Sequence, residues 1–321
     1  MTMQLPNSVS IVIPVYNAAG TIGALVDQLV IVLGPRHVLE IVLVNDCSPG
    51  DASEEACCQA YQRHPRIVKF YSLAKNVGEH NAVMAGLRHT TGASVVIMDD
   101  DFQNPITEVE KLIAAGQATD ADVVYTFYAE KRHAWWRNLG SRFNGAVATI
   151  MLGKPAGLYL SSFKLLTRFL VDELVKYDFP FTYLDGLILR TTSKITAVQV
   201  DHAARTHGQS GYTLRKLVRL WLNMFTNFSV LPLRVAMGLG LVITLLGIGL
   251  AAYTLYERLT APTLPPGWAL LTIVVCIFSG AQLVCIGTVG EYVGRLFLGM
   301  NKQPQYTIRR AYTGDDAHAD Q

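Results

Sequence analysis

The chain has 321 residues, half of them apolar and only 16% charged, with a formal net charge of +2. That length accommodates one large domain or two ordinary ones, and so small a net charge excludes a global field that would gather nucleic acid. The low charged fraction also tilts the chain away from a purely soluble protein.

Residues 1–17, MTMQLPNSVSIVIPVYN, lack a basic leader and carry only a short apolar run that includes Pro14. They read as the first strand of a domain, not as a secretory signal. From Ser8 to about Val200, short β-branched runs alternate with longer amphipathic ones. VSIVIPVY, LEIVLVND, IVKFYSL, ASVVIMDD and ADVVYTF read as buried strands, and residues 19–33, 51–62, 79–90 and 105–117 as the helices between them. The fold class is therefore α/β, a mostly parallel sheet covered on both faces. Ligands of such sheets bind beyond the carboxyl ends of the strands. Five cysteines, with no C-x-x-C pair, read as reduced thiols of a cytosol-facing protein.

One strand end carries three carboxylates, in VVIMDDDFQNP. Side chains two apart on an extended strand share a side. Asp99 and Asp101 are therefore expected to converge while Asp100 faces away. Two hard carboxylate oxygens with room for water suit Mg²⁺ or Mn²⁺, whose shells substrate phosphates commonly complete, and the Gln103 side-chain carbonyl is placed to join them. The alternative, an acidic loop that merely caps a helix starting at Pro105, accounts for Asn104 and leaves Asp99 and Asp101 unexplained. No G-x-x-x-x-G-K-[ST] loop is present, which argues against a P-loop nucleotidase, and no His/Cys/Asp grouping has zinc spacing.

Beyond Arg234 the chemistry changes. Residues 235–256 contain no formal charge, nor do residues 259–290, which a PTLPPG turn interrupts. A helix of 22 residues at about 1.5 Å each reaches roughly 33 Å, enough for a hydrocarbon core of about 30 Å. The alternative is a pair of buried helices in a soluble core. Arg215, Lys216, Arg219 and Arg234 precede the first run and Arg295, Lys302, Arg309 and Arg310 follow the second, so the positive-inside rule places both termini and the α/β domain in the cytoplasm. TLRKLVRLWLNMFTNFSVLPLR reads as an amphipathic helix at headgroup level, or alternatively as a packed helix with a solvated basic face. GIGLAA matches a dinucleotide-binding pattern but lies inside an apolar run with no preceding strand, so its glycines read as close helix packing. The expected organisation is a catalytic domain over 1–210, an interfacial segment over 211–233, spans over 234–258 and 267–290, and a cytoplasmic tail over 291–321.

SIVIPVYN, LVNDCSPGD, KNVGEHNAVMAG and DDDFQNP, continued by WWRNLGSRFN, SSFKLL, HAARTHGQSGYTL, NFSVLPLR and GEYVGR, resemble the polyprenyl-phosphate glycosyltransferases of glycosyltransferase family 2. That family includes dolichyl-phosphate mannose synthase, undecaprenyl-phosphate glucosyltransferases and undecaprenyl-phosphate 4-deoxy-4-formamido-L-arabinose transferase. The resemblance implies a GT-A domain with a two-helix membrane hairpin at the inner membrane. It implies transfer of a sugar from a nucleoside diphosphate, UDP favoured, to a polyprenyl phosphate, and a homo-oligomer, a tetramer in relatives. The strand-like QPQYTIRR is expected to be able to pair with another protomer.

Carried over by residue, the resemblance gives Asp99, Asp101 and Gln103 to the metal and donor diphosphate. Pro14, Tyr16 and Asp46 would line the nucleoside pocket, Asp46 accepting from the base, with Asn76, Asp100 and Asp185 also on the nucleotide sugar and Tyr183 and Leu184 near it. Arg137 and Ser141 match residues that receive the lipid phosphate, with Lys131 or Arg132 as a second cation. Arg205 would reach donor or acceptor phosphates, followed by Ser210 and Tyr212 on a mobile loop. Arg137, after Trp135-Trp136, has the alternative of resting on headgroups, and Arg205 that of an ordinary surface residue. Two departures bear on the donor: Asn17-Ala18 stands where the family has Asn-Glu, and Asn45-Asp46-Cys47-Ser48 where it has Asp-Asp-Gly-Ser. Glu79, where relatives often have Gln, bears on it too.

No general base is required by this reading. A phosphomonoester's second ionisation lies near pH 6, so the acceptor arrives as an anion, and a single in-line displacement would invert the anomeric carbon. A processive synthase would need a Q-x-x-R-W motif, absent here, and more spans. A non-catalytic nucleotide-sugar-binding protein would not need the intact carboxylate pair.

Overall fold

The computed structural model describes residues 8–128, 154–155, 157–180, 182–201, 231–260, 268–301 and 303–314. Up to residue 201, strands β1 (Ser8–Val15), β2 (Val38–Asn45), β3 (Val68–Leu73), β4 (Ser94–Ile97), β5 (Val123–Tyr128), β6 (Lys164–Thr167) and β7 (Ile195–Val200) accompany helices α1 (Ile22–Leu33), α2 (Ser53–Arg63), α3 (Glu79–Leu87), α4 (Ile106–Ala118), α5 (Arg168–Leu174) and α6 (Leu184–Thr191). Helices α7 (Leu231–Thr260) and α8 (Trp268–Met300) and strand β8 (Ile308–Tyr312) follow. The first five strands and four helices coincide with the runs read from sequence. The exception that matters is β4, which ends at Ile97 and not at Asp100.

The sheet order is β7-β5-β6-β4-β1-β2-β3-β8. Pairs β1–β2, β1–β4, β2–β3 and β5–β7 are parallel, and β4–β6, β5–β6 and β3–β8 antiparallel, so only β6 and β8 run against the rest. Chain order reverses between β1 and β4, the switch point at which such sheets open a crevice.

Both faces of β1 are buried. Ile11, Ile13 and Val15 join Ile22, Leu25 and Leu29 of α1 and Val109 and Leu112 of α4 in one apolar cluster. On the other face, α3 approaches so closely that a Cβ at Gly86 would lie 2.5 Å from Val12 Cγ1 and 3.2 Å from Val44 Cγ2. That contact seats the N-terminus of α3 beside the ends of β1 and β2.

The described residues form two compact units. One comprises the residues up to 201 together with 303–314, the other the two long helices. In the first unit β8 pairs antiparallel with β3 of its own chain, Tyr312 opposite Phe70. QPQYTIRR thus forms a strand, as read from the sequence, and covers the edge of β3 within its own chain, standing as the last strand of the sheet. In the second unit α7 and α8 are antiparallel, since Cys285 Sγ donates to Ala236 O while Gly247 faces Phe278, where a Cβ would lie 2.3 Å from the ring. Gly247 is thus a close-packing glycine, as read from its context, whereas a Cβ at Gly249 in the same stretch would meet nothing within 4 Å among the described residues. Among the described residues one stretch, Leu233–Tyr253, is long and apolar enough to cross a membrane by length and composition, with mean hydropathy 2.3.

Candidate functional site

Pro14 opens the crevice. Val12 O accepts from Met98 N of the β4 segment and Val15 O accepts from Asp46 N, so even-numbered residues of β1 point toward β4 and odd ones toward β2. Pairing with β4 ends at Val12–Ile97. The N–H that Pro14 lacks would point where no strand remains, so proline is tolerated there without losing a ladder bond. Beyond it, Tyr16 is 47% exposed at the mouth.

The loop after β1 is held by the loop after β2. Asn17 N donates to Ser48 Oγ at 3.0 Å, Ala18 N to Ser53 Oγ at 2.8 Å and Ala19 N to Asp51 Oδ2 at 3.2 Å. Asp46 is buried, and its two oxygens accept from Val77 N at 2.7 Å and Gly78 N at 2.9 Å, while Asn76 Nδ2 donates to Asp46 O at 3.2 Å. Burial raises the Asp46 carboxyl above its ordinary range, and the two N–H groups oppose that rise. Gly78 has φ of 86°, a left-handed conformation that suits glycine. Asp46 and Asn76 thus form one corner with the start of α3.

The three carboxylates each accept from a different partner. Because β4 stops at Ile97, residues 99–101 lie in a turn that ends on Phe102 with φ of 61°, and period-two geometry no longer applies. Asp99 Oδ2 accepts from Ser162 Oγ at 2.7 Å, Asp100 Oδ2 from Tyr16 N at 3.0 Å, and Asp101 Oδ1 from Gln103 N at 3.1 Å. Gln103 therefore reaches Asp101 through its backbone. Asn104, read as a helix cap, instead accepts from Tyr128 Oη at 3.2 Å, and Pro105 occupies the cap position of α4.

Burial, then the neighbouring charge of Glu79 and, past the opposing Ser162 hydroxyl, that of Asp101, pushes Asp99 up to about 6. Burial, against the opposing Tyr16 N–H, and then Asp99 and Asp101 push Asp100 up to about 7. Here negative charge accumulates beyond what local donors relieve. Among the described residues no three His, Cys, Asp or Glu side chains form a metal-holding group. Hard oxygen donors with excess buried negative charge fit a divalent cation that takes the rest of its shell from a substrate.

A buried network adjoins the carboxylates. Lys164, 2% exposed at the start of β6, pairs with Asp185 at the start of α6. Tyr125 Oη also donates to Asp185, at 2.9 Å. Burial raises the Glu79 carboxyl, with Lys164 opposing and Asp185 adding. Burial likewise holds His80 below its ordinary range, and its ring stands edge-on to Tyr183 at 5.2 Å. Asp185 is thus placed in an ion pair, and Leu184 is buried beside it. Ser162 and Lys164 were not singled out from sequence. The signal available was a lysine inside SSFKLLT, since a charge in an apolar strand demands a buried partner.

The structure thus brings together Pro14, Tyr16, Asp46, Asn76, Asp99, Asp100, Asp101 and Gln103 at the β1–β4 opening. Lys131, Arg132, Arg137, Ser141, Arg205, Ser210 and Tyr212 lie outside the described residues, as does most of the 211–233 segment.

A family model described as "Glycosyl transferase family 2" matches residues 10–175. An undecaprenyl-phosphate 4-deoxy-4-formamido-L-arabinose transferase of Edwardsiella ictaluri (strain 93-146) is 32% identical over 321 residues, covering 98% of this chain and 97% of that protein. The protein of the same name from Sodalis glossinidius is 33% identical over 309 residues, 94% and 93% of the two chains. Among solved structures, glucosyl-3-phosphoglycerate synthase from Mycobacterium tuberculosis in complex with uridine-diphosphate has a TM-score of 0.49 at 16% identity, covering 68% of this chain and 79% of that one.

Proposed function

Because the chain belongs to glycosyl transferase family 2 and is a glycosyltransferase, we propose that it moves a sugar from a nucleoside-diphosphate sugar, UDP favoured, to undecaprenyl phosphate, with inversion. The observation that carries the acceptor is the extent of the likeness: the relatives named for undecaprenyl phosphate match 94–98% of this chain, helices α7 and α8 included. The product would serve cell-envelope glycan or lipid A modification.

In this reading the Asp46 corner and Tyr16 receive the nucleoside, and Asp100 ties the end of β1 to the end of β4 through Tyr16 N. Asp99, Asp101 and Gln103 are the residues that would hold Mg²⁺ or Mn²⁺. When bound, the ion would neutralise the departing diphosphate. Ser162 orients Asp99, and the Lys164–Asp185 pair fixes the wall behind it. The acceptor phosphate, already anionic, attacks the anomeric carbon as the diphosphate leaves on the opposite face. The protein's part is then geometry and charge placement.

Residues on α7 such as Met237, Leu241, Leu245 and Leu246 and on α8 such as Leu283, Leu296 and Phe297 are more than half exposed. Helices that are apolar all round call for a lipid environment. This supports a lipid setting for the two helices, and the basic residues that flank them, Arg234 before α7 and Arg309 and Arg310 after α8 among them, favour a two-span hairpin in the inner membrane with the catalytic unit and both termini cytoplasmic. The proposal extends to a homo-oligomer, a tetramer. Molar mass by light scattering in mild detergent tests it.

The deciding experiment supplies UDP-, GDP- and dTDP-sugars to membranes containing the protein and undecaprenyl phosphate, and follows label into butanol-soluble lipid. Label from one donor class, lost in Asp101→Asn, supports the reading. A retained anomeric configuration, or no lipid-linked label with any donor, overturns it.

A further inference from the structure

The segment that follows α8 returns to the first unit and ends in a buried amide. Gln305 is 6% exposed, and its Nε2 donates to two backbone carbonyls, Tyr177 O at 2.8 Å and Phe179 O at 2.9 Å. Its Oε1 is buried with no partner among the described residues. Burying an amide costs desolvation, which the two Nε2 bonds offset on the donor side.

What they hold is the stretch Tyr177–Pro180 between α5 and α6, where Tyr177 N donates to Leu174 O at 3.1 Å and no strand ladder or further helical bond follows among the described residues. Its carbonyls are met by side chains instead: Arg88 Nη2 joins Gln305 on Tyr177 O at 3.3 Å, and Asn81 Nδ2 of α3 reaches Pro180 O at 3.4 Å. Arg88 also pairs with Asp178 and lies over the Tyr306 ring, beside Gln305, at 6.0 Å. On one side this stretch therefore leans on α3, whose leading Gly78 N–H grips Asp46. On the other it leads into Tyr183, against His80, and Asp185, paired with Lys164.

We propose that Gln305 is a positioning residue for the donor site, acting through Tyr177–Pro180 to set the start of α3 and the start of α6 relative to one another. The inference rests on the donor reading above. It adds that the segment after the second long helix is a working part of the catalytic unit. Gln305 touches no reacting atom in this scheme, so its loss should loosen donor binding more than it slows transfer.

The test uses the full-length protein in detergent or nanodiscs, with Gln305→Ala, and Gln305→Glu, which keeps the shape and removes both N–H donors. Tyr61→Phe is the control, because Tyr61 Oη donates to Thr313 O at 2.8 Å and anchors the same segment away from the loop. Hydrogen exchange of the Tyr177 amide, which donates to Leu174 O at 3.1 Å, should quicken about tenfold in both Gln305 variants and stay unchanged in Tyr61→Phe. Donor KM should rise about tenfold, with kcat within about threefold of wild type. Unchanged exchange or unchanged KM in Gln305→Ala overturns the proposal, as does an equal effect in Tyr61→Phe. If the wild type moves no sugar, the donor reading falls, while the exchange arm still decides whether Gln305 holds the loop.

Discussion

Asp99, Asp100 and Asp101 accept hydrogen bonds from three directions, Ser162 Oγ, Tyr16 N and Gln103 N, and their substitutions should separate accordingly. Asp99→Asn and Asp101→Asn are each expected to lower kcat about 10²–10³-fold, the scale for losing one charge-stabilising group. Asp100→Asn should act mainly on donor KM, because its oxygen sets the Tyr16 backbone. Steady-state kinetics over donor concentration checks this. The residue types at these positions were plain in the sequence; the donors that hold them were not, because strand pairing stops at Ile97 and the partners come from other segments. Glu40, at the opposite end of β2, offers a test by pH. Burial raises its carboxyl, but Lys69 at 2.6 Å, Ser10 and the Thr91 N–H together hold it below its ordinary value. A depressed carboxylate contributes stability that is complete above its unfolded pKa and lost as pH falls through the folded one. Glu40→Gln should therefore lower stability by about 1–2 kcal/mol at pH 7, with the difference shrinking below about pH 4.5. Urea melts from pH 3 to 7 show it, and a difference that does not vary with pH would refute the ion-pair account.

The meeting of α3 with β1 and β2 is an element whose precision rests on a missing side chain. Gly86→Ala would drive a Cβ to 2.5 Å from Val12 Cγ1, an overpacking expected to cost about 1–3 kcal/mol. It should also weaken nucleotide binding, because the displaced helix carries Gly78 away from Asp46. Thermal melts and UDP titration should move together; a melt that falls with unchanged binding would detach the helix from the site. The first five strands were legible because VSIVIPVY and its counterparts are short runs rich in β-branched and aromatic residues, mostly buried on both faces. Strand β6 escaped because it is only four residues long and opens on a charge, Lys164, and β7 because ITAVQV is half-exposed and stands apart from the regular βα alternation.

Across the whole molecule, the sheet is completed by residues more than two hundred positions from the strand they cover, and no local pattern announces that. QPQYTIRR was recognisably strand-like, but a strand signal carries no address. The address comes from packing: Tyr312 stacks on Phe70 with centroids 5.5 Å apart and rings 8° from parallel, and meets Tyr61 at 5.8 Å. Arg310 pairs with Glu54 at 3.2 Å, and Ala74 N donates to Thr307 O at 2.8 Å. Phe70 is fully buried, so a chain truncated after Gly211 would expose it along with the bare backbone edge of β3. Losing one large aromatic from a packed core costs about 3–5 kcal/mol, and an open strand edge invites association with other chains. The truncated protein should therefore melt several degrees below one in which residues 303–314 are rejoined through a flexible Gly/Ser linker, and should aggregate where the rejoined form remains monodisperse. Equal melting temperatures for the two would mean that β8 decorates the sheet without completing it. Recovery on rejoining, without α7 and α8, would establish that the catalytic unit is one domain written in two separated pieces of sequence.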